Sequence, residues 1–204
     1  MKGFGSKKKS KNKKIKNLTT DNFKEQIIYK AFKFHSEGNI SEATKYYQSF
    51  IKQGFKDFRI FSNYGLILIS LGKLKEAELS LRKAIDLNPK DSKAYYNLGN
   101  VLRNLGQLKE AELTLRKAIK LNPNLSIAYY NLGILLKYLG KLKEAELSYR
   151  RAIKFKPDHA EAHLNLGNIL RNLGKLKEAK NCVEKVMSLR SWSISGSYSF
   201  NYCI

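Results

Sequence analysis

Apolar residues along this chain recur at spacings of three and four, not two. In residues 92–125, Tyr95, Leu98, Leu102 and Leu105 form one stripe, and Leu108, Ala111, Leu115, Ala118 and Ile119 form a second. Each stripe predicts an amphipathic helix that buries one side. Gly106 separates the stripes. Pro123 follows the second, where its missing N–H and its restriction of the preceding residue end a helix. The segment therefore reads as helix, turn, helix, with Asp91 or Ser92 as the first N-cap.

The segment recurs. Residues 92–125 match 126–159 without gaps at 21 of 34 positions. The same frame places 58–91 before them and 160–193 after them, and 24–57 fits more loosely through Phe34, Gly38, Ala43, Tyr47 and Ile51. Gly72, Gly140 and Gly174 align with Gly106, and Pro89 and Pro157 align with Pro123. Small residues share a register too: Gly65, Gly99, Gly133 and Gly167 in first helices, Ala77, Ala111, Ala145 and Ala179 in second helices. These positions predict close backbone approach within each hairpin. A helical hairpin of this size cannot bury its own apolar face, so neighbouring units must stack.

A large residue, a leucine–glycine pair, two alanines and a closing proline at these offsets in a unit of 34 residues resemble the tetratricopeptide repeat. The resemblance is strong over 58–190, weaker over 24–57, and absent from 1–17 and 194–204. Lys30-Ala31 stands where the first repeat should have its leucine–glycine pair, and the first and fifth repeats lack the proline. The resemblance implies an all-α fold, a right-handed α-solenoid of five stacked helix-turn-helix repeats within residues 18–193.

First helices of such an array line a concave groove, and the resemblance implies that the sixth residue of each repeat points into it. Those residues are Asn63, Asn97, Asn131 and Asn165. A side-chain amide both donates and accepts, so a ladder of them can satisfy an extended main chain without reading its sequence. The similar ladder of O-linked N-acetylglucosamine transferase holds substrate in this way. The alternative reading gives these amides to hydrogen bonds between repeats. Three and six residues further along the helices lie Asn100 and Asn168, then Arg103, Lys137 and Arg171. Their cations predict an acidic guest, because charge-assisted bonds to carboxylates are strong and arginine forms them two-pronged. Ser62, Tyr96, Tyr130 and Leu164 occupy the fifth position, where a clamp for chaperone C-termini needs lysine, so that assignment does not carry over. Tyr96 and Tyr130 are expected to pack, half-buried.

Charge widens the range of partners. Thirty-nine basic against 17 acidic side chains give +22. Eight lysines and no acid fall within residues 1–17, interleaved with Gly, Ser and Asn, which predicts a disordered basic arm able to touch a polyanion or an anionic membrane surface weakly. On the second helices Glu78–Arg82, Glu112–Arg116 and Glu146–Arg150 have the favourable four-residue order and predict solvated pairs worth a few tenths of a kcal/mol each.

Catalytic signatures are missing: there is no phosphate-binding loop, nucleophile elbow or cysteine pair at zinc spacing. His159 and His163 are four apart, but Glu161 is misplaced for a metalloprotease helix and His163 holds the packing position of Tyr95 and Tyr129. No metal or cofactor is expected. Two cysteines, Cys182 and Cys203, build no disulfide framework, and the basic start lacks a secretory apolar stretch, so the expected location is the reducing cytoplasm. The uncharged tail 194–204 is a poor cap for the last hairpin, which predicts self-association through the fifth repeat. Taken together, the sequence predicts a non-catalytic scaffold that binds extended acidic polypeptide. The alternative is a substrate-recognition arm for a glycosyltransferase, sulfotransferase or oxygenase whose catalytic part is not in this chain.

Overall fold

The computed structural model describes the backbone of residues 5–198 and the side chains of residues 21–189. Among the described residues the regular structure is helical: α1 (Gly5–Ser36), α2 (Ile40–Lys52), α3 (Phe58–Ser70), α4 (Leu74–Leu87), α5 (Ser92–Asn104), α6 (Leu108–Leu121), α7 (Ser126–Tyr138), α8 (Leu142–Phe155), α9 (Ala160–Asn172) and α10 (Leu176–Tyr198). They pair in sequence order as five hairpins. Residues 1–89, with α1 to α4, form one unit, and residues 90–204, with α5 to α10, form another.

Local chemistry sets each hairpin. Gly106 sits at φ +78°, a left-handed conformation that costs other residues a Cβ clash. There its N–H donates to Arg103 O and the next N–H, of Gln107, donates to Leu102 O. This is the Schellman arrangement, which satisfies the orphan carbonyls at the end of α5 and turns the chain into α6. Gly38, Gly72, Gly140 and Gly174 repeat it with φ between +71° and +75°. Asp91 caps α5 by accepting from the N–H groups of Lys93 and Ala94. Asp57 caps α3 through the N–H of Arg59, a signal the hydrophobic pattern does not carry.

Inside the hairpins the small residues act as expected. A Cβ added at Gly99 would lie 2.7 Å from Leu115 Cγ, and one at Gly133 would lie 2.7 Å from the Tyr149 ring. Ala111, Leu115, Ala145 and Tyr149 are fully buried. Each buried leucine contributes roughly 1.5–3 kcal/mol relative to exposure. The first hairpin departs most from the repeat, yet Ala43 and Tyr47 are fully buried and Phe34 stacks on Tyr46 at 5.5 Å.

Two elements run past their predicted ends. The α1 backbone is helical from Gly5, through the segment expected to be disordered; the side chains of that lysine-rich segment lie outside the described residues. At the other end α10 continues to Tyr198. The side chains beyond residue 189 and the tail 199–204 lie outside the described residues, and with them the expected self-association through an uncapped end.

The packing at Gly133 generates a prediction. Gly133→Ala gains about 1 kcal/mol of helix propensity, but a fully buried Tyr149 ring must shift, and overpacking costs about 1–3 kcal/mol. Urea unfolding should show a net loss of roughly 1 kcal/mol with an unchanged slope, whereas equal or greater stability would contradict a tight α7–α8 contact at this glycine.

Candidate functional site

The first helices of the second unit place the predicted site residues on one side. On α5, Asn97, Asn100 and Arg103 are three apart and half-buried, so they share a helix face. The neighbouring α7 touches α5 and brings Asn131 against it. Asn131 Nδ2 donates to Tyr96 OH at 3.1 Å and to Asn100 Oδ1 at 3.0 Å, and only 8% of the residue is exposed. One repeat later Asn165 Nδ2 donates to Tyr130 OH at 3.3 Å. In the first unit Asn63 reaches the Tyr47 hydroxyl. Three of the four amides at the sixth position, Asn63, Asn131 and Asn165, thus bond between hairpins, and Tyr96 and Tyr130, expected to pack, are acceptors for two of them. Asn97 and Asn168 have no such partner among the described residues.

Polar groups left unsatisfied gather around Tyr130. Its ring lies 4.6 Å from His159 and 6.0 Å from Tyr149. The buried side-chain atoms that lack a hydrogen-bond partner among the described residues are Arg103 Nη1, Tyr149 OH and His159 Nδ1. Burial raises the Tyr130 hydroxyl and Glu161 adds to the rise, against the Asn165 hydrogen bond and the Arg103 charge. Burial also lowers the His159 imidazole, so it is neutral at pH 7. Arg103 donates weakly to Asn104 Oδ1 at 3.5 Å. Lys137 and Arg171 are exposed.

Family models for the tetratricopeptide repeat match residues 92–125, 114–146 and 160–191, and a TPR repeat model matches 65–106 and 135–174. The chain belongs to the tetratricopeptide repeat family. No curated protein matches it. Among solved structures, a MamA crystal structure superposes with a TM-score of 0.75 at 24% identity, covering 81% of this chain and 96% of that one. MamA from Desulfovibrio magneticus RS-1, residue 41 to the end, gives 0.74 at 24%, covering 82% and 95%. YrrB, a TPR protein with an unusual peptide-binding site, gives 0.70 at 24%, covering 86% and 92%. These likenesses establish the fold, an all-α solenoid of TPR hairpins.

The second TPR helices use their charges on one another. Arg116 pairs with Glu112 at 2.8 Å and with Glu144 of the next repeat at 2.6 Å, while Lys141 reaches back to Glu112 at 2.9 Å. One repeat on, Arg150 pairs with Glu146 and Glu178, and Lys175 with Glu146. The Glu–Arg pairs predicted from spacing are present; their arginines stay partly exposed while Glu146 is buried, and the cross-repeat bonds tie successive hairpins together. By contrast, Arg103, Lys137 and Arg171 hold no carboxylate among the described residues.

No group of His, Cys, Asp and Glu among the described residues could hold a metal. The two histidines diverge: His159 packs on Tyr130, while His163 Nε2 shares a hydrogen bond with Pro157 O at 2.9 Å. No helix among the described residues is long and apolar enough to cross a membrane.

Removing Asn131 strands the Tyr96 hydroxyl and the Asn100 amide oxygen, so Asn131→Ala should cost about 1–2 kcal/mol in denaturant unfolding. Asn97→Ala, with no partner to lose, should stay within about 0.5 kcal/mol. Equal costs would place both amides in the same role. The carboxylates supply a pH test. Burial works to raise Glu146, but hydrogen bonds and charge from Lys175 and Arg150 outweigh it and hold the carboxyl below its ordinary value; Lys141 and Arg116 do the same for Glu112. A depressed folded pKa adds stability that is present above the unfolded value, about 4.3, and lost as pH falls through the folded value. Glu146→Gln should therefore destabilise by about 1–3 kcal/mol at pH 7 and by much less at pH 3. A deficit that is constant across that range would contradict the pairing.

Proposed function

We propose that the first-helix face of the second unit grips an extended acidic polypeptide and that the protein works as a non-catalytic adaptor. The observation that carries this reading is the division of cations. Arg116 and Arg150 on second helices each hold two carboxylates, whereas Arg103, Lys137 and Arg171 on first helices hold none among the described residues. A buried guanidinium nitrogen without an acceptor carries a desolvation cost. A guest carboxylate at Arg103 would relieve it.

The amides divide the remaining work. Asn131 and Asn165 stiffen the wall by bonding the tyrosines of the preceding hairpin. Asn97, Asn168 and the free amide hydrogens of Asn100 are left to meet a guest main chain, whereas Asn63 in the first unit is committed to the Tyr47 hydroxyl. Tyr96 and Tyr130, anchored through their hydroxyls, present rigid flat surface. The similarity in fold to YrrB, whose peptide-binding site is the stated feature of that protein, supports a peptide as the class of guest.

A fluorescent peptide of Glu, Gly and Ser only, which is extended and has no apolar residue, tests this by anisotropy. It should bind, weaken as salt rises, and lose about 100-fold in affinity in the Arg103→Ala, Lys137→Ala, Arg171→Ala triple variant, from charge-assisted bonds of about 1 kcal/mol each at partly exposed sites. A peptide with Gln in place of Glu should bind the native protein weakly. Unchanged binding in the triple variant would remove the groove cations from the account.

A further inference from the structure

Away from the first-helix face, the second unit carries two clefts that the repeat pattern did not predict. One, of about 310 Å³, opens between α6 and α8 over α7, with Ile119 and Leu132 in its floor and Lys120, Leu147 and Arg151 at its edge. The other, of about 380 Å³, opens between α8 and α10 over α9. Every residue lining the first cleft has its counterpart, shifted by 34, lining the second: Ile153 and Leu166 in the floor, Lys154 and Lys185 at the edge. The site is thus built twice by one repeat.

The chemistry of these clefts is specific. Each has an apolar floor with two cations above it. Lys120, Arg151, Lys154 and Lys185 form no ion pair among the described residues. The carboxylate in the second cleft, Glu178, is held by Arg150. Beside the first cleft, Leu147 is 64% exposed, and Leu113 at the same position one repeat earlier is 69% exposed. These leucines do not serve the hairpin cores, which Leu115 and Tyr149 fill. An apolar floor under unpaired cations fits a guest that is apolar on one side and acidic beside it.

We infer that the second-helix side of this unit is a second docking surface, distinct from the groove, for an acidic amphipathic helix of another protein. Stacked hairpins repeat at about one helix diameter, ~10 Å, which is the rise of about seven helical residues. A helix with an apolar residue every heptad would therefore seat one side chain in each cleft, with its glutamates against the paired lysines and arginines. This is the helix-in-groove mode of recognition with charge complementarity at the rim. It does not rest on the groove reading.

The test uses the full chain and two labelled synthetic helices of equal net charge, one with Leu every seventh residue in a Glu/Ala background and one with those leucines replaced by Ser. The leucine helix should bind at least 10-fold more tightly. The quadruple variant Lys120→Glu, Arg151→Glu, Lys154→Glu, Lys185→Glu should abolish that binding, and Leu147→Asp, at an exposed position that leaves folding intact by circular dichroism, should weaken it about 10-fold. Lys93→Glu with Lys156→Glu, a charge reversal away from the clefts, should change it less than threefold. Equal affinity for the two helices, or equal losses in all charge variants, would reduce the surface to unspecific electrostatics and overturn the inference. Retention on phosphatidylglycerol vesicles that is lost in the quadruple variant, together with no preference between the helices, would overturn it in favour of a membrane surface.

Discussion

Four of the five hairpins depend on a bare patch of helix. Where a first helix has glycine, a side chain of the second helix lies against backbone: Leu81 on Gly65, Leu115 on Gly99, Tyr149 on Gly133 and the smaller Cys182 on Gly167. That approach fixes the two helices of a hairpin at close range, and it fixes which of their sides remain outward. Interiors pack too densely to absorb even one methyl group without strain, so the same glycines keep the register of every side chain further along the helix. The positions of Asn97, Arg103 and Arg171 are consequences of this contact as much as of their own chemistry.

The outward sides then diverge electrically. Second helices spend their acids locally, and half-buried Glu112 and buried Glu146 knit one hairpin to the next through arginine and lysine. This gives the stack a polar fastening beside its apolar one, and its worth depends on pH because the carboxylates must be ionised. First helices carry almost no acid in the second unit, and their cations are left unpaired. A chain of +22 is therefore not uniformly available to a guest. Its cations are sorted into Arg116 and Arg150, which are held by carboxylates, and others, among them Arg103, Lys137 and Arg171 on first helices and Lys120, Arg151, Lys154 and Lys185 at the clefts, which hold none among the described residues. Recognition follows that sorting, since a cation already satisfied by a buried carboxylate has little to offer a guest.

Much of the architecture was legible in the sequence because it is periodic. Turn glycines, closing prolines and apolar stripes recur at one spacing, and each has a local cause that needs no tertiary context. The site was legible only in part. Spacing put Asn131 on one face of its helix with the other amides, but could not place the Tyr96 hydroxyl and Asn100 oxygen within 3.1 Å and 3.0 Å of it; a bond between repeats depends on how the hairpins stack, not on one helix. The same holds for Arg116 and Glu144, which are 28 residues apart, and for the clefts, whose walls come from three helices each.

The central claim is that unpaired first-helix cations, and not the basic surface at large, recognise an acidic chain. Following the arginine side-chain N–H signals by nuclear magnetic resonance while a Glu/Gly/Ser peptide is added tests it most directly. The account predicts saturable shifts of Arg103 and Arg171, with Arg116 and Arg150 unmoved in their carboxylate pairs. Uniform small shifts over all arginines, or shifts confined to Arg116, Arg150 and Arg151, would contradict it.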